Sequence, residues 1–127
     1  MVRCYRDLRV WQRAMDLIVE GYELTTAFPP SEAYGLSAQL RRASVSVACN
    51  IAEGHGRDHL GDYLRHLSIA YASLMEVETQ ALIAQRLGYL TEVQVRAWLD
   101  HTGTLARMLS TLSRRLRARH HPPAPGT

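Results

Sequence analysis

The chain has 127 residues, a length that suits one domain whose core needs no disulfide or metal to stabilise it. It begins without an apolar segment followed by a small-residue cleavage site and holds no apolar run near the roughly 20 residues of a membrane span, so we expect a cytoplasmic protein without membrane contact. All 15 basic residues are arginine, and residues 101–127 hold five of them but none of the 12 acidic residues, so the excess positive charge is C-terminal.

Periodic apolar residues predict a first helix from about Leu8 to Thr26, with Asp7 as its cap. They recur at steps of three and four, which is typical of one buried stripe, here Leu8, Trp11, Met15, Ile18 and Tyr22. Phe28-Pro29-Pro30 should end this helix, because proline lacks the backbone donor that a helix needs. A helical turn after Pro30, with a kink at Gly35, then leads into the second helix.

The second and third helices are predicted to form a tight hairpin. Gly54-His55-Gly56 should end the second helix, because glycine adopts a left-handed cap at little cost. The buried stripe of that helix is Leu36, Leu40, Ala43, Val47 and Ile51. The third helix, from about Asp58 to Leu87, has a main stripe of Tyr63, Leu67, Ala70, Leu74, Val77, Ala81 and Ala84. A second apolar line, Leu64, Tyr71, Met75 and Leu82, makes this helix apolar over more of its circumference than one core needs.

Gly88-Tyr89-Leu90 predicts the last turn, and Thr91 with Gln94 forms the capping box of a fourth helix that reaches about Arg117. Its stripe is Val95, Trp98, Thr102, Leu105, Leu109, Leu112 and Leu116. Short connections make consecutive helices antiparallel. The sequence therefore predicts an all-α, antiparallel up-and-down four-helix bundle over residues 1–118, with a disordered proline-rich tail over residues 119–127.

This topology brings the start of the first helix, the hairpin near residue 57 and the end of the fourth helix to one end of the bundle. Eight arginines gather there, and we call them the arginine pole: Arg3, Arg6, Arg9, Arg57, Arg114, Arg115, Arg117 and Arg119. They are diluted by Asp7, Glu53, Asp58 and Asp62. We interpret the pole as a candidate nucleic-acid-binding surface, because clustered guanidinium groups attract phosphates.

Polar residues also follow one face of the second helix, at Gln39, Arg42, Ser46, Asn50 and Glu53. The third helix answers with Ser73, Glu76 and Gln80, and the antiparallel register makes a contact between Arg42 and Glu76 available. The bland interpretation is a satisfied polar layer that fixes register, or a solvated stripe. The functional one is a subunit contact or a binding groove.

Several of these segments carry a family resemblance: DLRVWQRAMDLI, the Phe-Pro that follows it, YGLSAQLRRASVSVACNIAEG and LRHLSIAYASLMEVETQ. They resemble the bacterial four-helix-bundle proteins encoded within intervening sequences of 23S rRNA genes, over about residues 5–115 and most specifically from Gln39 to Gly54. The resemblance implies a homopentamer without established enzymatic activity. The chain is also similar to the accessory proteins of diversity-generating retroelements, which implies a basic surface that holds nucleic acid and a reverse transcriptase. The sequence lacks lysine, so arginine would have to form that surface.

Catalytic and metal-binding patterns are weak in this sequence. No Glu-x-x-His motif of a di-metal bundle occurs, and we expect the i, i+4 pairs Asp62 with His66 and His55 with His59 to be free of metal. We predict no cofactor. Cys4 and Cys49 lack metal-site spacing and should be free thiols, Cys49 as a small packed residue. Two Arg-x4-His strings, Arg96 to His101 and Arg115 to His120, are similar to helical ribonucleases.

Three hypotheses for the function follow. The first is a non-catalytic oligomeric scaffold that associates with RNA or DNA through the arginine pole. The second is an assembly that binds only proteins, suggested by the wide apolar surface of the third helix. The third is a helical-bundle ribonuclease.

Overall fold

The computed structural model describes residues 2–120 and contains four long helices: α1 (Arg9–Thr25), α2 (Leu36–His55), α3 (Leu60–Arg86) and α4 (Glu92–His120). Two short 3-10 turns, Tyr5–Asp7 and Pro30–Glu32, precede α1 and α2. No strand occurs in these residues, so the predicted all-α four-helix fold is confirmed. Within the same range, no helix is both long enough and apolar enough to cross a membrane. The predicted tail lies outside the described residues from position 121 onward, whereas Arg119 and His120 belong to α4.

Side-chain contacts between helices show the antiparallel up-and-down order directly. Ser46 of α2 contacts Ser73 of α3. Asn50 lies four residues after Ser46, and it contacts His66, which lies seven residues before Ser73, so the two helices run in opposite directions. The indole of Trp98 donates to the Val77 carbonyl at 3.1 Å, which joins α4 to α3. The same indole is fully buried, so its hydrogen bond satisfies a donor that water cannot reach.

At the end opposite the arginine pole, the α1–α2 connection packs against the α3–α4 turn. The rings of Phe28 and Tyr89 lie 5.6 Å apart. Glu32 accepts a hydrogen bond from the Tyr89 hydroxyl at 3.0 Å, which raises the pKa of that phenol. The other oxygen of Glu32 caps α2 by accepting from the Leu36 amide at 3.2 Å. Gly35 therefore precedes α2 and does not kink it, which corrects the expected kink.

The core stripes of α2, α3 and α4 are those predicted, apart from partly exposed residues at the pole end: Tyr63, Leu112 and Leu116. The capping box of α4 is also confirmed. Thr91 accepts from the Gln94 amide at 3.2 Å, and the Gln94 side chain accepts from the Thr91 amide at 2.9 Å. Gly88, at φ 80°, supplies the left-handed conformation of the preceding turn.

The predicted stripe of α1 is wrong by one residue. The buried residues are Val10, Ala14, Leu17, Gly21 and Thr25, whereas Met15 and Tyr22 are exposed. A shift of one residue rotates a helix by about 100°. The cause is close packing at Gly21, where a Cβ atom would lie 3.1 Å from Ser44 Oγ and 3.2 Å from the Trp98 ring. A small residue is needed at this position, and three residues of the predicted stripe, Leu8, Trp11 and Ile18, pack at the rim of the core.

Two predicted helix ends also differ from the structure. Asp7 does not cap α1, because its carboxylate accepts a hydrogen bond from the Arg3 amide at 2.8 Å. The helix begins after Leu8 without a side-chain cap. Gly56 ends α2 with φ −81°, so no left-handed cap forms. Gly54 in this segment is instead required by packing, because it is buried where α2 meets α3.

Candidate nucleic-acid interface

The arginine pole is built from three parts of the chain that the topology brings together. Val2 from the N-terminal segment, His55 from the end of α2, and Arg115 and Arg119 from the last turns of α4 line one cavity of about 410 Å³. The expected meeting of these segments at one end of the bundle is therefore present in the structure.

A groove of about 370 Å³ lies between the start of α1 and the second half of α4. Three arginines line it: Arg9, Arg107 and Arg115. The rest of its lining is formed by Leu8, Val10, Thr104, Met108, Thr111 and Leu112. No acidic residue belongs to this lining, so the groove offers positive charge beside an apolar floor.

Arg107 is a residue that the sequence-based pole missed. A signal for it exists, because Arg107 and Arg114 are seven residues apart on one helix and therefore lie near the same face. Arg107 lies in the middle of α4, whereas the predicted pole comprises residues near the helix ends. The structure shows that the basic surface extends from the end of α4 along its length.

The other members of the pole lie in different surroundings. Arg114 and Arg117 line two depressions between α4 and α3, and the one lined by Arg114 shares Arg107 and Thr111 with the groove. Arg3, Arg6 and Arg57 are exposed and belong to none of these cavities. The structure thus brings five of the eight predicted arginines into shared concave surfaces and leaves three on the open rim.

The ion pairs within residues 2–120 leave the arginine pole unneutralised. They are Glu92 with Arg96 at 2.7 Å, Glu20 with His101 at 2.5 Å and Glu53 with His66 at 3.7 Å. Arg6 lies over the Tyr5 ring at 5.2 Å, and a hydrogen bond with the Tyr5 hydroxyl is the main cause that raises the pKa of its guanidinium. The pole therefore keeps its positive charge.

The polar line of α2 separates into a contact layer and an exposed part. Ser46 and Ser73 share a hydrogen bond of 2.9 Å, and Asn50 donates to the Ser46 carbonyl at 2.9 Å. Because that bond fixes the amide orientation, the Asn50 oxygen must accept from Nδ1 of His66, also at 2.9 Å. Glu53 lies 3.7 Å from the same nitrogen. We call these five residues the polar layer, and the layer forms within one protomer.

Of the remaining predicted members, Gln80 is buried and the other three lie on the surface. Gln39, Arg42 and Glu76 are exposed, and Glu76 accepts a weak hydrogen bond of 3.3 Å from Gln80. No ion pair joins Arg42 to Glu76 in the described part of the chain, so the suggested contact is absent from the protomer. A subunit contact through these three residues stays a prediction. His66 was missed, although its spacing of seven residues from Ser73 places both on one face of α3.

Three of the histidines considered for catalysis or metal binding, His55, His66 and His101, have structural partners. Nδ1 of His101 lies against Glu20, and its Nε2 is buried without a hydrogen bond. His55 packs edge-on against Tyr63, with ring centroids 5.9 Å apart. Among the residues described, no group of three or more His, Cys, Asp and Glu is close enough to hold a metal ion. Cys49 is exposed and not packed, contrary to expectation.

Comparison with known proteins agrees with the fold and the resemblance. The chain is similar to a crystal structure of a protein of unknown function from the S23 ribosomal protein family of Bacteroides thetaiotaomicron, with a TM-score of 0.76 and 19% identity over 83% of this chain and 95% of that one. No curated protein matches the chain. The family model described as 23S rRNA-intervening sequence protein matches residues 6–111. The chain therefore belongs to the 23S rRNA-intervening sequence protein family.

Proposed function

We propose that this protein is a non-catalytic oligomeric scaffold that associates with RNA or DNA through its arginine pole. The observation that carries the proposal is the concentration of arginines around the end of α4, where three guanidinium groups share one groove and no described ion pair neutralises them. Such a surface attracts phosphates without reading sequence.

The charge distribution along α4 supports this proposal. From residue 101 onward the helix holds Arg107 and four further arginines but no acid, so positive charge lines its second half. The acids at the pole, such as Asp7 and Asp58, lie in the N-terminal segment and the hairpin. A nucleic acid that follows α4 would therefore meet arginine before it meets carboxylate.

The surroundings of one ribonuclease candidate pair, Arg96 and His101, favour a non-catalytic role. Arg96 is paired with Glu92, and His101 is mostly buried against Glu20. A general acid or base must reach the substrate proton directly or through one water molecule. We therefore rank RNA binding above RNA cleavage.

Replacing four arginines together tests the proposal: Arg114, Arg115, Arg117 and Arg119, each by glutamine. We expect the variant to lose binding to RNA and DNA oligonucleotides in fluorescence anisotropy and to keep its oligomeric state. The dependence of log K on log salt should also flatten, by about 0.7 per lost contact on a single strand and about 0.9 on a duplex.

A control replaces two arginines at the other end of the bundle, Arg86 and Arg96, by glutamine and is compared with a variant that replaces only Arg117 and Arg119. The control should keep the affinity and the salt dependence of the wild type. Absence of binding by the assembled wild-type protein at low salt would contradict the proposal. The protein-only assembly would then be preferred, because α3 exposes apolar side chains such as Ile69 and Ile83.

A further inference from the structure

We propose that Tyr71 is a stacking platform for an unpaired base, and that the nucleic acid bound by this protein is single-stranded. This inference rests on the proposed function, since the arginines supply the phosphate contacts. Tyr71 adds a choice between strand forms that positive charge alone cannot make.

The position of Tyr71 next to α4 is the first support. It is 40% exposed, and it lines two depressions between α3 and α4, of about 340 and 270 Å³. Arg107 and Arg114 line the first depression, and Arg117 lines the second. Neither depression contains an acidic residue. Tyr71 thus shares these two depressions with three arginines.

This combination matches the chemistry of single strands. Proteins that bind single-stranded nucleic acid without sequence preference place aromatic rings along a positive groove, because every base has a π-face that can stack. Ser110 lines both depressions beside Tyr71, and its hydroxyl can donate to a base or phosphate without adding negative charge. In a duplex the bases are already stacked, so only the phosphates would reach this surface.

Tyr71 belongs to the second apolar line of α3, but it points away from Ile69 and Ile83, two other exposed apolar residues of the same helix. At about 100° per residue, Ile69 and Ile83 point roughly 160° and 120° away from Tyr71 around α3. Both are exposed. An oligomer that buries Ile69 and Ile83 would therefore leave the flank next to α4 open to a ligand.

The test measures binding of fluorescent oligothymidine, oligouridine and a duplex of matched length by anisotropy at several salt concentrations. Tyr71→Ala should weaken binding to both single strands by roughly fivefold to 100-fold, the range for loss of one stacked base. The salt slope should not change, because stacking releases no counterion. Tyr71→Phe should bind like the wild type, and Tyr71→Leu, which keeps apolar packing, should bind like the alanine variant.

Leu82→Ala is the matched control, because Leu82 is exposed on the same flank of α3 but about 16 Å farther from the arginine pole. It should leave affinity unchanged. If Tyr71→Ala and the wild type bind single strands with equal affinity, the inference is overturned and the arginine-pole proposal stays intact. The same holds if Tyr71→Ala loses as much affinity for the duplex as for the single strands. Failure of the assembled wild-type protein to bind any of the three oligonucleotides would overturn both.

Discussion

At the residue scale, Gly54 is the position in the hairpin of α2 and α3 where an added side chain would be tolerated least. A Cβ atom there would lie 2.8 Å from the Cβ of His66 and 3.0 Å from the Tyr63 ring. The His66 Cβ atom cannot swing away as a side-chain tip could, because it is fixed to the backbone of α3. The helices would have to separate, and the polar layer, which includes His66, would be disturbed.

We therefore predict that Gly54→Ala lowers the free energy of unfolding by about 1–3 kcal/mol, as overpacking usually does. Gly61→Ala is the control, because nothing lies within 4 Å of the added Cβ in α3. Because alanine has a higher helix propensity than glycine, Gly61→Ala should stabilise the protein by up to about 1 kcal/mol. Urea denaturation at one protein concentration measures both, and equal effects at the two positions would contradict the close approach.

At the element scale, the polar layer fixes how α2 and α3 pair. We predict a coupling energy of about 1 kcal/mol between Asn50→Ala and His66→Phe in a double-mutant cycle, because each change removes the same hydrogen bond. Asn50→Ala combined with Thr79→Ala should be additive, since Thr79 is exposed and bonds within its own helix. Additivity at positions 50 and 66 would refute the bond.

The helices could be predicted from the sequence to within a few residues because their stripes, prolines and capping box are local signals. The buried face of α1 could not be predicted, because the close packing of Gly21 depends on Ser44 and Trp98, which belong to other helices. The arginine pole could be predicted from the helix topology, but the positions of Arg107 and Tyr71 beside it could not. Their importance depends on the surface between α4 and its neighbours, which short-range spacing does not describe. His66 was missed because its contacts with Asn50 and Glu53 depend on how α2 and α3 are aligned.

At the scale of the whole molecule, the apolar surface of α3 predicts assembly. Ile83 and Leu87 are 43% and 53% exposed, which is unusual for clustered apolar side chains of a soluble monomer. We predict that light scattering gives five times the protomer mass of 14.3 kDa and that Ile83→Glu dissociates the oligomer. Val93→Glu, at the exposed first turn of α4, should not. A monomer at micromolar concentration would disprove the assembly.

The cavity that Val2 shares with Arg119 also determines where a label can be placed. A fluorophore or other bulky label attached at Val2 or at Arg119 would lie beside the arginine pole and obstruct a ligand that approaches it. Tyr34, at the far end of the bundle, is 99% exposed in a connection between helices. A probe attached there, or a circularly permuted chain opened there, would leave the pole uncovered for binding experiments.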